Sequence, residues 1–373
     1  MVANLPAKLA GVDHLTRQWR LKKLLPAHRL DALLITHPPN VRYLCGFTGS
    51  AGAIVIGASK SVFFTDGRYK EQAALEVQGA RVVVAKKSPL AAAAEWLQTN
   101  ARKLGLKTLG VDAEHLTVAE RSRLKKAIPS GLRLRKAPAL VEQARSIKDG
   151  EEIERLRAAV LLGSSLFDVI LKTIRPGVKE NEVAAELEYE ARRAGADGMS
   201  FETIIASGTR SALPHGRASK AAIPPSGFVV CDFGVILTGY CSDMTRTVHV
   251  GQPDPEMRRV YEAVRDAQQA ALKVVKAGVS ASEVDRSARK VLQGNGLGRY
   301  FTHSTGHGVG LEIHESPRLA SGQKDVLQPG LVITIEPGAY LTGVGGVRIE
   351  DMVVVTEEGC EVLTPTNKEL ITI

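Results

Sequence analysis

The N-terminal part of the chain alternates short apolar runs with amphipathic stretches. The runs in residues 31–137 are rich in β-branched and aromatic residues, which favour strands, and they read ALLIT, YLCGF, AIVIG, VFF, RVVVA and TLGVD. The stretches between them, such as residues 69–77 and 90–104, have the spacing of helices with one apolar face. This alternation predicts an α/β domain built around a central sheet.

A charged segment that begins with a proline separates this region from the rest of the chain. Residues 138–150 lead into a pattern that predicts a long helix as far as about Thr173, where a Pro-Gly pair would stop it. We therefore predict two domains, residues 1–145 and residues 146–373.

A faint internal repeat runs through the second predicted domain. The pattern Gly-Val-x-x-x-Glu-Val begins at Gly177 and again at Gly278, 101 residues later, and Gly195 is matched by Gly296 at the same offset. Each copy follows a predicted long helix, begins a shorter one and leads to a β-rich region. We predict a duplicated helix-helix-sheet unit whose halves share one site. Chance agreement over so few positions is the alternative.

Each half of this repeat carries two acidic residues in strand-like sequence. Residues 229–247 predict a hairpin that bears Asp232 and Asp243, and the later segments LVITIEPGAY and GVRIEDMVVVT bear Glu336 and Glu350. Aspartates on paired strands can face each other at roughly 5 Å. Buried like charges are costly unless cations or protons compensate them. Four such carboxylates favour a metal site over unrelated turn or edge residues.

Four of the nine histidines lie in glycine-rich or acidic contexts. His215 occurs in SALPHGRAS, whereas His303, His307 and His314 occur in HSTGHGVGLEIHE. Small residues around His307 would let its imidazole approach an ion closely. The remaining histidines lack such context, and we predict that they are ordinary surface or core residues: His14, His28, His37, His115 and His249.

The predicted ligand set is rich in oxygen and has one imidazole, which favours Mn²⁺, Co²⁺ or Fe²⁺ over a thiolate zinc site. It comprises Asp232, Asp243, His307, Glu336 and Glu350. Two ions roughly 3.5–4 Å apart could share a bridging hydroxide as the nucleophile of a hydrolysis. The sequence has no HExxH or GxSxG motif. A serine nucleophile, Ser211 with His215, is a weakly supported alternative.

Composition indicates an ordinary globular protein with an uneven charge. The chain has 373 residues, 44% hydrophobic content and a net charge of +9, and residues 1–150 carry 25 Lys+Arg against 11 Asp+Glu. A basic face can attract nucleic acid or an acidic partner. The region lacks a recognition motif with interleaved aromatic residues, so we predict a solvated surface and no nucleic-acid partner.

Neither a secretion signal nor a membrane span is predicted. The first residues lack an apolar leader segment, and the later apolar runs are interrupted by polar residues. The cysteines have no CxxC spacing and fit a reducing cytoplasm: Cys45, Cys231, Cys241 and Cys360. We expect a cytoplasmic protein, and we expect Cys231 and Cys241 to be small buried residues rather than ligands.

Taken together, these motifs resemble the metallopeptidase family that includes methionine aminopeptidase, aminopeptidase P and prolidase. The resemblance covers residues 147–365 through the contexts CDFG, SDMTRT, TGHGVGLEIHE, IEPG and VRIED. YLCGFTGSAG and FFTDGRY also resemble the first domain of aminopeptidase P and prolidase. The implied fold is an α/β N-terminal domain, of the creatinase/prolidase type, plus an α+β "pita-bread" catalytic domain with an internal pseudo-two-fold repeat.

The resemblance implies a role for each predicted ligand. Asp232 would bind one ion, Asp243 and Glu350 would bridge two ions, and His307 and Glu336 would complete the coordination. Glu336 would also be the general base. Mn²⁺ is the expected metal, with Co²⁺, Fe²⁺ or Zn²⁺ as alternatives.

The resemblance also implies residues that bind substrate. His215 and His314 would bind the scissile carbonyl and stabilise the tetrahedral intermediate, and His303 would line the proline side. Arg348 would orient ligands or bind substrate. Thr245 would hold a ligand carboxylate from behind.

The implied substrates are peptides with proline at the second position. We expect an Xaa-Pro aminopeptidase that forms a homodimer, because GFTGSAG with TDGRY leans towards aminopeptidase P. The alternative is an Xaa-Pro dipeptidase, since Arg318 stands where some prolidases place an arginine that binds the substrate carboxylate. A non-catalytic peptide-binding protein is the more distant alternative.

Overall fold

The computed structural model describes residues 12–373, which form two compact units divided between Arg145 and Ser146. The N-terminal unit contains one mixed sheet, whose strands are β1 (Ala32–Ile35), β2 (Gly52–Gly57), β3 (Ser61–Asp66), β4 (Arg81–Ala85), β5 (Thr108–Asp112) and β6 (Arg133–Ala137). Their order across the sheet is β4-β3-β2-β1-β5-β6, and β1 pairs parallel with β5 and antiparallel with β2. This is the predicted α/β architecture.

Helices accompany this sheet in an alternating order. They are α1 (His14–Leu24), α2 (Pro38–Cys45), α3 (Lys70–Glu76), α4 (Pro89–Asn100), α5 (Val118–Ala127) and α6 (Leu140–Ser146). The alanine-rich face of α4 packs on the sheet, where Ala93 and Leu97 are fully buried. The amphipathic spacing of residues 90–104 therefore predicted a real helix, although it ends at Asn100.

Two details of this unit differ from the sequence prediction. The apolar run YLCGF is not a strand, because Tyr43 and Cys45 lie in α2, which begins with prolines and ends at Gly46 with a φ of 84°. Those are ordinary helix start and stop signals, and burial of most of the run hid the helical period. Strand β6, RLRKA, was missed because it is an edge strand whose polar side chains reach solvent.

The C-terminal unit contains two pairs of helices and a set of short strands. The helices are α7 (Gly150–Thr173), α8 (Glu180–Arg193), α9 (Pro255–Val274) and α10 (Ala281–Gly294). The strands are β7 (Gly198–Met199), β8 (Ile204–Ser207), β9 (Gly227–Phe233), β10 (Val235–Leu237), β11 (Tyr240–Cys241), β12 (Met244–Val250), β13 (Gly306–Gly308), β14 (Glu315–Leu319), β15 (Val332–Ile335), β16 (Gly338–Leu341), β17 (Gly345–Arg348), β18 (Asp351–Val355) and β19 (Cys360–Val362).

The predicted repeat is visible in this unit. Helices α8 and α10 begin 101 residues apart, and each follows a glycine in the left-handed region, Gly177 with φ 87° and Gly278 with φ 83°. The first half contributes the sheet β12-β9-β8, and the second contributes β14-β13-β15-β18-β19. Each half therefore presents a helix pair and a sheet in the same order along the chain.

Each helix pair buries its apolar face mainly against strands of its own half. One core cluster includes Phe167, Leu187 and Val229, from α7, α8 and β9, and the other includes Val264 and Val284, from α9 and α10. These residues are at most 3% exposed. Burial of apolar side chains on one face leaves the other face of the strands free to carry the polar site.

The predicted hairpin is present, but its tip is more elaborate. Strand β9 pairs antiparallel with β12, so that Asp232 faces Thr245 rather than Asp243. Residues 234–239 are not a simple turn, because β10 pairs with β11 and forms a separate small ladder. Asp243 lies immediately before β12, where the two ladders meet, and is therefore a diagonal neighbour of Asp232.

Candidate metal centre

All the predicted site residues line one cleft in the C-terminal unit. The cleft has a volume of about 780 Å³, and its lining includes His215, Asp232, Asp243, His303, His307, His314, Arg318, Glu336, Arg348 and Glu350. Residues up to 135 positions apart in the chain thus converge on one place.

Most of the carboxylates project from places where a strand ends. Asp232 lies within β9, but Asp243 precedes β12, Glu336 follows β15 and Glu350 precedes β18. The sequence prediction that Glu336 and Glu350 lie within continuous strands is therefore wrong. Around them the chain leaves the five-stranded sheet for the two-stranded ladder β16-β17 and returns, with Pro337 following Glu336 at the exit.

Three candidate ligands approach one another closely. Ligand atoms of Asp243, His307 and Glu350 all lie within 4.8 Å of each other. His307 Nε2 is 3.6 Å from Asp243 Oδ2 and 3.6 Å from Glu336 Oε1. These separations are longer than direct hydrogen bonds and leave room for an ion between the side chains.

The orientation of His307 suits a metal ligand. Its Nδ1 lies 3.0 Å from the carbonyl oxygen of Gly308, so Nδ1 carries the proton and donates it, which leaves the Nε2 lone pair directed towards the carboxylates. Burial lowers the pKa of His307 to about 4, so the imidazole is neutral at physiological pH. A neutral imidazole is the form that binds metals.

The carboxylates of the cleft are buried close to one another, so their ionised forms are destabilised unless positive charge is bound nearby. Burial, followed by the neighbouring Glu350, raises the pKa of Asp243 well above its ordinary value, and burial also raises the pKa of Glu336 to about 8. Oδ1 of Asp232 is buried and has no hydrogen-bond partner among the described residues. Divalent cations would offset the repulsion and satisfy that oxygen, so the residues present fit a metal centre.

Arg348 contacts one candidate ligand, Asp232, directly and a second, Glu350, through Thr245. Its guanidinium is buried and donates to Asp232 Oδ2, to Thr245 Oγ1 at 3.1 Å and to Tyr340 Oη at 2.6 Å. Thr245 Oγ1 in turn donates to Glu350 Oε2 at 2.8 Å. Of the two roles considered for Arg348, these contacts favour orientation of ligands, and Thr245 holds a carboxylate as predicted.

Tyr340 joins His303 to this network and was not singled out from the sequence. Its hydroxyl lies 2.8 Å from His303 Nε2, and His303 Nδ1 donates to the carbonyl oxygen of Ser304, also at 2.8 Å. Burial lowers the pKa of His303 to about 3. Both ring nitrogens of His303 therefore have hydrogen-bond partners within the protein. His303 lines the cleft as a neutral ring and has no N–H left to donate to a substrate. A buried tyrosine directly after IEPGA was the available signal.

Two cysteines and one serine that the sequence raised as candidates lie outside the lining of the cleft. Cys231 and Cys241 are buried, as predicted, and neither lines the cleft. Ser211 does not line it either, because its hydroxyl donates to Gly208 O at 2.6 Å and accepts from Gly346 N. The serine-nucleophile alternative therefore has no geometric support.

The prediction that His115 is an ordinary surface or core residue did not include the two carboxylates that the fold places beside it. Its Nε2 lies 3.2 Å from Glu142 Oε1, and a ligand atom of Asp112 lies within 4.8 Å of both. This cluster in the N-terminal unit already has a shared donor, because the Asn40 amide donates to both carboxylates. Glu142 is distant from His115 in sequence, so spacing alone could not reveal the contact.

Comparison with known proteins identifies the chain. Residues 154–357 match the family model for metallopeptidase family M24, and residues 17–147 match that for the creatinase/prolidase N-terminal domain. The chain belongs to the M24 metallopeptidase family. The predicted pita-bread fold and hydrolase class are thereby confirmed, and membership implies divalent metal ions.

Relatives of this M24 peptidase match it along nearly its whole length. The Xaa-Pro dipeptidase of Pyrococcus horikoshii is 37% identical over 94% of this chain and 97% of its own. The structure of the Xaa-Pro dipeptidase from Bacillus anthracis is 41% identical with a TM-score of 0.92, covering 97% of this chain and 100% of that one. That of the X-Pro aminopeptidase from Thermotoga maritima is 36% identical with a TM-score of 0.87, covering 96% and 100%.

The names of these dipeptidase relatives favour the Xaa-Pro dipeptidase, the alternative considered from the sequence, over the Xaa-Pro aminopeptidase that was first expected.

None of the helices within residues 12–373 is both long enough and apolar enough to cross a membrane.

Proposed function

We propose that this M24 peptidase is a metal-dependent Xaa-Pro dipeptidase. The observation that carries the proposal is the position of Arg318 in the cleft. Arg318 on β14 is the antiparallel partner of His307 on β13. Side chains of directly opposed residues leave the same face, with Cβ atoms about 4.5–5.5 Å apart. The Arg318 side chain therefore leaves the sheet next to the candidate metal ligand and lines the same cleft.

An arginine at this position would suit a dipeptide better than a longer peptide. The free carboxylate of an Xaa-Pro dipeptide lies within one residue of the scissile bond, which is about 3.5 Å of extended chain. Arg318 is exposed in the cleft, and it forms no ion pair with any of residues 12–373. A planar guanidinium can bind a carboxylate through two parallel hydrogen bonds. A longer peptide has no carboxylate at that distance.

The proposed metal centre consists of two divalent ions, with Mn²⁺ as the expected metal. Asp232, Asp243, His307, Glu336 and Glu350 would hold them. When bound, they would polarise the scissile carbonyl and lower the pKa of a water nucleophile. Their oxygen-rich donors with one imidazole suit Mn²⁺ better than a soft metal.

The remaining chemistry belongs to side chains of the cleft. Glu336 accepts the proton of the attacking water and passes it to the proline nitrogen as the C–N bond breaks. His215 and His314 donate hydrogen bonds to the carbonyl oxygen as it gains negative charge. His303 forms a neutral wall on the proline side, and Arg318 binds the terminal carboxylate.

A pair of matched peptides tests the proposal. The protein is stripped with a chelator and reloaded with Mn²⁺, and one Xaa-Pro dipeptide and one Xaa-Pro-Xaa tripeptide with the same first residue are followed by mass spectrometry. We expect cleavage of the dipeptide alone. Cleavage of the tripeptide at the Xaa-Pro bond would instead establish Xaa-Pro aminopeptidase activity. That activity is the second candidate because the similar structure from Thermotoga maritima is an X-Pro aminopeptidase. Cleavage of neither peptide by metal-loaded protein would overturn the proposed substrate class.

A substitution tests the role of Arg318 separately. Arg318→Met should raise KM for the dipeptide and leave cleavage of the C-terminally amidated dipeptide unchanged. Arg217→Met is the matched control, because Arg217 also lines the cleft but is paired with Glu202 at 2.9 Å. Equal KM changes in both variants would argue against carboxylate binding by Arg318.

A further inference from the structure

A buried ionic cluster lies directly behind the candidate metal centre. Arg246 follows Thr245 on β12 and is 1% exposed, and Asp351 follows Glu350 and is fully buried. Alternation along a strand directs Arg246 away from the face that carries Thr245. Arg246 Nη2 donates to Asp351 Oδ1 at 2.7 Å. The residues that follow Thr245 and Glu350 thus form an ion pair on the reverse side of the strands.

The guanidinium of Arg246 uses all of its five N–H donors. Nε donates to Asn367 O at 2.9 Å, Nη1 to Thr245 O at 2.9 Å and Glu350 O at 2.5 Å, and Nη2 to Asp351 Oδ1 and to Thr366 O at 2.6 Å. Two of these acceptors belong to the candidate metal centre. One is the main-chain carbonyl oxygen of Thr245, which supports a candidate ligand, and the other is that of the ligand itself, Glu350. A backbone hydrogen bond from Glu350 N to Thr245 O, at 3.1 Å, joins the same two residues directly.

The carboxylate of Asp351 closes the cluster. Its Oδ2 accepts from Gln268 Nε2 at 2.8 Å and from Lys368 Nζ at 2.5 Å. The carbonyl oxygen of Lys368 in turn accepts from Tyr261 Oη at 3.1 Å. Residues 366–368 are therefore bound to the back of the strands by both main-chain and side-chain contacts.

We propose that Arg246 and Asp351 are positioning residues for the metal centre, with residues 366–368 completing their support. The cluster fixes the main-chain positions from which Thr245 and Glu350 project into the cleft. This inference rests on the proposed function only in assuming that the cleft binds metal. A buried ion pair contributes little net stability compared with apolar residues. Five directional donors, by contrast, locate a backbone closely, and displacement of a reacting group by about 1 Å can cost about 100-fold in rate.

Arg246→Lys is the first test, because lysine keeps the charge but has three donors and no planar fork. Metal titration of the stripped protein by calorimetry should show a Kd raised by about 10- to 100-fold. At saturating Mn²⁺, kcat for the Xaa-Pro dipeptide should fall while KM stays within about twofold of the wild-type value. The d–d absorption spectrum of the Co²⁺-loaded variant should also shift, because the ligand geometry changes.

Arg265→Met is the matched control. Arg265 Nη1 is 2.7 Å from Glu369 Oε2 and forms an exposed ion pair with the residue that follows 366–368. Within residues 12–373 it forms no hydrogen bond or ion pair with Thr245 or Glu350. The metal Kd of this variant should stay unchanged. Lys368→Met provides a milder test, since Lys368 is partly exposed but contacts Asp351 directly. Its Kd should rise by a few-fold, and it keeps the proposal testable if Arg246→Lys fails to fold.

Thermal unfolding in chelator shows which variants are folded at the assay temperature. The proposal is overturned if folded Arg246→Lys and Lys368→Met bind metal with the wild-type Kd, or if Arg265→Met weakens metal binding as much as they do. Failure of the proposed function has a different signature. In that case the wild-type protein binds metal but does not cleave the dipeptide, and the comparison of Kd values still decides the role of the cluster.

Discussion

Replacing Thr245 by valine should weaken metal binding without removing any ligand. The Thr245 hydroxyl is fully buried, donates to Glu350 Oε2 at 2.8 Å and accepts from Arg348 Nε at 3.1 Å. Valine has nearly the same shape but cannot make either bond. A hydrogen bond to a charged group contributes about 1.5–3 kcal/mol. Its loss at a ligand corresponds to about a 10- to 150-fold higher metal Kd.

The measurement is a calorimetric titration of stripped protein with Mn²⁺, with Thr247→Val as the control. Thr247 lies on the same strand and is equally buried, but its hydroxyl bonds to the main chain of Arg348 rather than to a ligand. Both variants should lose some stability, whereas only Thr245→Val should lose metal affinity. Equal Kd values for the two variants would refute the argument that Thr245 orients Glu350.

Two further predictions concern packing and burial. Gly306→Ala should destabilise the protein by at least about 3 kcal/mol in urea unfolding, because a Cβ there would lie 1.9 Å from the main-chain oxygen of Thr334. Gly150→Ala, where no atom lies within 4 Å, should change stability by less than about 1 kcal/mol, and equal effects would contradict the steric argument. Burial raises the pKa of Cys45 to about 12, so its thiolate forms only far above neutral pH. Iodoacetamide at about pH 8 should therefore modify the partly exposed Cys360 first and Cys45 only after unfolding. Peptide mapping measures both reactions. Equally fast labelling of the two cysteines in the folded protein would count against the burial of Cys45.

Local patterns in the sequence were enough to find the ligand candidates. Asp232 and Glu350 stand in short apolar contexts, and the glycines around His307 mark a close backbone approach. Helix α7 and the repeat of α8 in α10 were also predictable, because helix period, caps and stop signals act over a few residues. These features depend on neighbours in the chain and can therefore be read from it.

Helix α2 and the strand breaks at Glu336 and Glu350 could not be predicted in the same way. A run that is buried along most of its length loses the period that separates helix from strand. The breaks occur where the chain exchanges one sheet for another, and that exchange is set by strand pairing between distant segments. Sequence reasoning accordingly placed the candidate carboxylates on elements with the wrong limits.

The sequence by itself determined which side chains are candidates for binding metal and which family they resemble. Only the tertiary structure decided how those side chains are held. Arg348 reaches Asp232 across 116 positions, and Arg246 reaches Asp351 across 105. Neither contact has a local signal, because an arginine that will be buried looks the same in sequence as one that will be exposed. The support of the ligands depends on long-range packing, and only the folded chain brings these partners together.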